Sequence, residues 1–266
     1  MGQKKSNNQP PMNQGYQSIQ NPTYSGRDSL ILTEIGLPNY SRDILTMMNQ
    51  SKLVSQLENR SEILEFGAGS GYLAELWLEM FSENVKCVEI DFDLSRSIEK
   101  KGFQVENKIS DFNKQFDLIY SSNVLEHIED DISILKEIYV NLKPGGVVAI
   151  YVPAFQILFS SMDKEVGHVR RYSKKELSRK IEDVGFINQQ IRFSDSVGFI
   201  ASLLIRIMGY RTKFGIGNLK SLLIYDNYIF PVSKFLDRIG FAKIIGKNLI
   251  VIAKKPINEA PLENMP

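Results

Sequence analysis

The stretch Ile63-Leu64-Glu65-Phe66-Gly67-Ala68-Gly69-Ser70-Gly71 decides the fold of this chain. An apolar run of strand length passes into three closely spaced glycines, and a helical pattern begins at Tyr72. Glycine lets the backbone approach a ligand closely because it carries no Cβ. A nicotinamide or flavin site needs G-x-G-x-x-G, yet the third glycine position is held by Tyr72; a phosphate-cradling loop needs Gly-Lys-Ser/Thr, which does not follow. Glu65 would repel a pyrophosphate and attract an ammonium group.

Twenty-two residues after Gly67, the run Val88-Glu89-Ile90-Asp91 places Glu89 where a carboxylate can accept both hydroxyls of a ribose. A ligand with an ammonium at one end and a ribose at the other is S-adenosylmethionine, and Glu65, Gly67, Ala68, Gly69, Gly71, Glu89 and Ile90 form its expected cradle. Asp111 follows a third short strand, where it could accept from an adenine amino group while Phe112 packs on the ring. Taken singly, each element has a plainer reading: a tight turn at 67–71, a surface charge at Glu89, a turn former at Asp111.

Outward from this centre, strand and helix alternate as in a parallel sheet covered on both faces. Strands are expected at 62–66, 85–90, 104–105, 116–120, 146–152, 187–193 and 248–253, and helices at 72–81, 94–101, 131–142 and 174–184. Pro144-Gly145-Gly146 stops the helix before the fifth strand. Upstream, apolar positions from Tyr40 to Leu57 recur at helical spacing. Residues 1–28 are polar and rich in Asn, Gln, Ser, Gly and Pro, with too little apolar surface to offset the entropy of ordering, and are expected to be a disordered tail ahead of a domain at 29–266. The segment 194–247 is far longer than a connection between adjacent strands needs, so it is an insertion.

Composition narrows the function. The 266 residues carry a net charge of +1, with one cysteine, Cys87, and two histidines, His127 and His168. The balance argues against nucleic acid as a partner. One cysteine forms no internal disulfide, which fits a reducing compartment. The set also cannot supply a four-ligand structural zinc site, so no metal is expected. The first thirty residues lack the apolar core of a secretory signal, so a cytoplasmic location is expected. Met1-Gly2-Gln3-Lys4-Lys5-Ser6 matches the N-myristoylation pattern. Between Lys164 and Lys220 twelve Lys/Arg face five Asp/Glu, an excess that an anionic acceptor or a membrane surface could use, or that simply solvates a helix face.

From about Tyr40 to Lys255 the chain resembles the class I S-adenosylmethionine-dependent methyltransferases, small-molecule enzymes of the bacterial quinone-biosynthesis and surface-polysaccharide types. The stretches that carry the resemblance are Ile63 to Gly71, Val88 to Asp91, Phe116-Asp117-Leu118-Ile119-Tyr120, Val124-Leu125-Glu126-His127-Ile128 and Leu142-Lys143-Pro144-Gly145-Gly146. The resemblance implies a Rossmann-like sheet of seven strands, ordered 3-2-1-4-5-7-6 with the last antiparallel. Ser122 and Asn123, at the end of the fourth strand, join the expected cofactor residues.

His127 and His168 are the candidate proton acceptors for a hydroxyl or amine acceptor, His127 having the alternative of a structural cap on the cofactor pocket. Arg170 and Arg171, with Tyr172, could clamp a carboxylate or phosphate. Ser173 is expected to cap the following helix with Glu176 completing a capping box. Asp91-Phe92-Asp93 admits a metal-dependent glycosyltransferase as a rival enzyme class, against which Asp93 is expected to be a helix N-cap. A non-catalytic cofactor-binding partner module is the other rival.

The insertion is expected to form an acceptor lid. Val197, Phe199, Ile200, Leu203, Leu204, Ile207 and Met208 form an apolar helical run with Arg206 within it and Arg211 and Lys213 beyond; Leu222, Leu223, Ile224, Tyr225, Tyr228, Ile229 and Phe230 follow. Neither run reaches the ~20 residues that cross a bilayer. Apolar bodies with basic ends suit a peripheral membrane contact and a small-molecule or lipid-linked anionic acceptor, and equally suit plain packing against the sheet.

Overall fold

A computed structural model describes residues 26–57, 60–208 and 218–258. Its centre is one seven-stranded sheet in the order β3-β2-β1-β4-β5-β7-β6: β1 (Ile63–Phe66), β2 (Val85–Val88), β3 (Val105–Glu106), β4 (Phe116–Ser122), β5 (Leu142–Pro153), β6 (Ile187–Ser194) and β7 (Asn248–Lys254). The first five strands run parallel, and β7 is antiparallel to both of its neighbours. This is the order the resemblance implied, in a Rossmann-like methyltransferase fold.

Parallel strands buried on both faces read as continuous apolar runs, and β4 and β5 are buried almost throughout. One face carries Leu64, Ile119, Val148 and Ile150 against α6 (Asp131–Asn141) and α8 (Lys174–Asp183). The other carries Ile63, Leu118, Tyr120 and Ala149 against α2 (Pro38–Asn49), α4 (Tyr72–Phe81) and α5 (Phe92–Lys100). There Trp77 stacks on Tyr120 with ring centroids 4.8 Å apart.

Four local expectations need correction. The helix expected over 40–57 is two: α2 ends at Asn49, and α3 (Lys52–Ser55) restarts from Ser51, whose Oγ accepts from Val54 N. The cap of α5 is Asp91, not Asp93; its Oδ1 accepts from both Asp93 N and Leu94 N, which leaves Asp93 in the first turn. The fifth strand, expected from Gly146, already starts at Leu142, so Pro144-Gly145-Gly146 lie inside β5 and take up an irregularity opposite Phe116 and Leu118. The polar segment 1–28 is ordered at its end: Arg27 starts α1 (Arg27–Gly36). The rest of it, residues 1–25 with the Gly2 motif, lies outside the described residues.

The insertion folds as α9 (Ser196–Met208), α10 (Leu219–Ile224), a π-helical turn over Tyr225–Ile229 and α11 (Phe230–Arg238). One buried acid fastens it to the body and another ties its own elements together. Asp226 accepts from Asn39 N and Tyr40 N at 2.9 Å each and so caps α2 from across the chain. Asp195 accepts from Tyr225 Oη, Ser233 Oγ and Gly198 N. Such bonds to ionised groups contribute about 1.5–3 kcal/mol each, so the insertion is part of the domain and not a loose flap. Arg211 and Lys213 lie outside the described residues. Among the described residues no helix is long and apolar enough to cross a membrane.

Candidate functional site

In an open α/β sheet, ligands bind beyond the carboxyl ends of the strands. The loop after β1 turns there with Gly67, Gly69 and Gly71 at φ of +74°, +56° and +79°, values that side chains reach only under strain. Space is also short: a Cβ on Gly67 would stand 2.5 Å from Val124 Cγ2, and one on Gly69 2.9 Å from Leu30 Cδ2, so neighbouring side chains would have to shift. Gly67 N and Ala68 N donate to Val88 O at 2.9 and 3.0 Å, locking the loop to the end of β2.

Glu89 is the hinge of this arrangement. Its Oε2 accepts from Gly69 N and its Oε1 from Asp91 N, both at 2.8 Å. Burial raises its carboxyl above the usual range. Ile90 next to it is 63% exposed, a large apolar side chain presented to the crevice edge. Glu65 sits deeper, 2% exposed, with Tyr120 Oη donating to its Oε2 at 3.1 Å. Burial, then the neighbouring Glu34 and Glu89, push its carboxyl up to about 8. That corrects the simple attraction expected for Glu65, since near neutrality it holds its proton. The physics still selects a cation: Glu34 and Glu89 raise the value of Glu65 by repulsion, and a positive ligand brought among them relieves it.

The site also recruits residues the sequence did not point to. Helix α1 lies across the glycine loop: Arg27 bridges Asp91 at 2.6 Å and Asp93 at 3.1 Å, and Glu34 Oε1 accepts from Ser70 Oγ at 2.7 Å. With Asp91 capping α5 and both carboxylates held by Arg27, the metal-binding reading of Asp91-Phe92-Asp93 is overturned. The third expected element changes too: Phe112 is buried edge-on against Phe116 at 5.5 Å, in the core and not on a ligand face, while Asp111 is exposed in a short 3-10 turn. Ser122 and Asn123 do reach the crevice end of β4, Asn123 at φ +55° with its N–H on Tyr151 O.

Beyond β4 and β5 the fold gathers a second group. His127 and His168 meet edge to face with centroids 4.7 Å apart. His127 Nδ1 donates to Gly167 O at 3.2 Å, and His168 Nδ1 to Asp163 Oδ1 at 2.8 Å. Burial, then the adjacent His168, push the His127 imidazole down to about 4, so it stays neutral. Burial opposes the charge on Asp163, yet hydrogen bonds from His168 and Arg171 hold its carboxyl down at about 2. Glu126 is fully buried beside them, and burial pushes it up to about 8.

The expected acceptor clamp is not laid open by the fold. Tyr172 is a core residue whose Oη donates to Asp131 Oδ2 at 2.7 Å and to Leu125 O at 3.1 Å. Arg171 forks onto Asp163 through Nε and Nη2, and Arg170 reaches Asp131 and Glu129 O. These pairs hold together the segment carrying His168. Ser173 accepts from Glu176 N, the cap that was expected at α8.

Comparison with known proteins shows the family. A family model described as a methyltransferase domain matches residues 41–191, and the chain belongs to that family. It is 23% identical over 239 residues to malonyl-[acyl-carrier protein] O-methyltransferase 1 of Ilyobacter polytropus, covering 80% of this chain and 88% of that one. It is 32% identical to the tRNA U34 carboxymethyltransferase of Nautilia profundicola, over only 35% of this chain and 34% of that one. Among solved structures, phosphoethanolamine N-methyltransferase 2 of Haemonchus contortus, in complex with S-adenosyl-L-methionine, shares the fold with a TM-score of 0.53 and 20% identity, over 82% of this chain and 52% of that one. A SAM-dependent methyltransferase of Archaeoglobus fulgidus shares it at 0.52 and 18%, over 80% and 94%. The protein is an S-adenosylmethionine-dependent methyltransferase.

Proposed function

We propose that this methyltransferase acts on a small acceptor carried by a lipid, taken up at an anionic membrane surface beneath the insertion. Bound S-adenosylmethionine supplies an electrophilic methyl group on a sulfonium. The chain's residues divide the remaining work. Gly67 to Gly71 admit the cofactor backbone-close, Glu89 faces the ribose, Ile90 the adenine, and the Glu34/Glu65/Glu89 set favours the cationic end. The acceptor atom's lone pair forms the new bond to the methyl carbon as the carbon–sulfur bond breaks, its electrons staying on sulfur. The acceptor's proton must leave, and the His127/His168 cluster supports a reading in which it departs on that side of the crevice.

One observation carries the acceptor reading. Val232, Phe235 and Ile239 lie at i, i+3 and i+7 along α11 and beyond its end, 53–61% exposed, and Phe241 and Ile244 extend the stripe. Arg238 and Lys243 stand within it. An apolar stripe flanked by cations matches an anionic lipid surface. The insertion is also tied to the catalytic side: Phe199 packs edge-on against Phe155 at 5.2 Å, and Arg206 donates to the carbonyls of Ile157 and Phe159, in the segment leading to Asp163.

Excising the insertion would uncap α2, so the test uses surface variants. Phe235→Asp with Ile239→Asp should leave cofactor affinity unchanged while weakening association with phosphatidylglycerol vesicles at least tenfold, since each lost apolar contact costs about 1.5–3 kcal/mol. Turnover of a lipid-linked acceptor should fall with it. Failure of the unaltered protein to associate with such vesicles, together with full turnover of a soluble acceptor by the variant, would sink the reading.

A further inference from the structure

A buried carboxyl group normally has hydrogen-bond donors on it, because an unsatisfied one costs several kcal/mol. Glu126 breaks that rule. Its side chain has no exposure, and no other described residue brings a donor to either of its oxygens, its own backbone N–H being the one donor that acts on it. What faces it is His168 Nε2, 3.7 Å from Oε1. That is too long for a hydrogen bond, but it is close to the roughly 3.4 Å that separates two ligands each about 2.1 Å from one tetrahedral ion.

The surroundings have the form of a ligand set. One ligand atom each from Glu126, His127 and His168 lies within 4.8 Å of the other two. Behind the histidines stand the outer partners that metal-binding imidazoles use to fix their tautomer: Asp163 Oδ1 on His168 Nδ1 at 2.8 Å, and Gly167 O on His127 Nδ1 at 3.2 Å. Asp163 is itself held by Ser160 and Arg171. The β4 loop bearing Glu126 is pinned to the His168 segment by Val169 N donating to Glu126 O at 2.9 Å. His127 and His168 are only half-buried, which leaves one side of the set open. The sequence expectation of no metal weighed only a four-ligand structural site; two imidazoles and one carboxylate with an open position are the donor set of a catalytic one.

We infer that Glu126, His127 and His168 bind a divalent transition-metal ion, zinc by the chemistry of the donors, with its open position turned toward the acceptor. The ion satisfies Glu126, and it would hold the acceptor's oxygen as a Lewis acid and ease its deprotonation. That role rests on the methyl-transfer reading above; the ion site itself does not, so it is scored without cofactor or acceptor.

The full-length protein, stripped with a chelator and dialysed, is titrated with cobalt(II) while visible absorbance is followed, then back-titrated with zinc. Saturable binding of a single cobalt, with the intense absorption bands of a low-coordinate site that zinc abolishes, is the expected result. Glu126→Gln and His168→Ala should each weaken cobalt binding at least a hundredfold; Asp163→Asn, which removes no ligand, should weaken it about tenfold to a hundredfold. If Glu126→Gln does not fold, His168→Ala and Asp163→Asn decide the matter. Absence of a saturable band in the unaltered protein overturns the assignment, and so does equal cobalt affinity in the folded variants. Should cobalt bind and methyl transfer prove independent of it, the site stands and only its role toward the acceptor falls.

Discussion

The two ends of the crevice bury carboxyl groups in opposite ways. At the cofactor end every acid is answered from within the fold: Glu89 by Gly69 N and Asp91 N, Glu65 by Tyr120 Oη, Glu34 by Ser70 Oγ. Beside His127 and His168, Glu126 is as deeply buried and takes no hydrogen bond from any other described residue. Loop amides and side-chain hydroxyls supply the first set of partners, so that end is organised before any ligand arrives. The second end lacks such partners, and its chemistry depends on what it binds.

The comparison can be broken most sharply at His127. His127→Ala should lower turnover a hundredfold to ten-thousandfold with no more than about a threefold change in cofactor affinity, because the group works on the acceptor side. A parallel loss of cofactor affinity, read by calorimetry, would merge the two ends into one.

Glu65 gives the next largest effect. Its folded value of about 8 stands above its ordinary 4.5, so the unfolded chain releases a proton that the folded protein retains. Stability is therefore intact below about pH 4.5 and is lost as pH rises toward 8. Glu65→Gln removes that loss. Its stability relative to the unaltered protein should climb between pH 5 and pH 8, by at most about 5 kcal/mol. Urea unfolding at the two pH values checks this, and a flat difference would show Glu65 ionised in the folded state.

Smaller is Glu89→Ala, expected to cost about 1.5–3 kcal/mol of cofactor binding, tenfold to a hundredfold in Kd, with Gly69→Val in the same range or above. Unchanged affinity in both folded variants would remove the cofactor assignment from this loop. Smallest is Glu34→Gln, where loss of one charge and a weaker bond to Ser70 should raise the cofactor Kd only about fivefold. An effect as large as that of Glu89 would make α1 a full member of the binding site.

The cofactor end was legible in the sequence because it is written in backbone conformation. Positive φ at Gly67, Gly69 and Gly71 leaves a mark that one chain displays. The strand order had to come from resemblance, since periodicity does not say which strand lies beside which. Other features were out of reach for one reason: their partners are distant in the chain. Arg170 reads as a free cation until Asp131 is found beside it, 39 residues away, and Arg27 reads as tail until it meets Asp91. Phe112 looked like a ring for a ligand, and only packing against Phe116 shows that it is core. Glu126 lay in plain sight in Leu125-Glu126-His127, but neither burial nor lack of a donor can be read from three letters.

The cap on α2 has a consequence for how the chain is made. Asn39 N and Tyr40 N are satisfied by Asp226, 187 and 186 residues further on. During synthesis at about 5–20 residues per second, the start of α2 waits roughly 10–40 s for its partner to leave the ribosome. A nascent chain released or stalled before that point carries an uncapped helix and an uncovered edge of core around Tyr40. Such a chain presents to a chaperone a surface that the finished protein never shows.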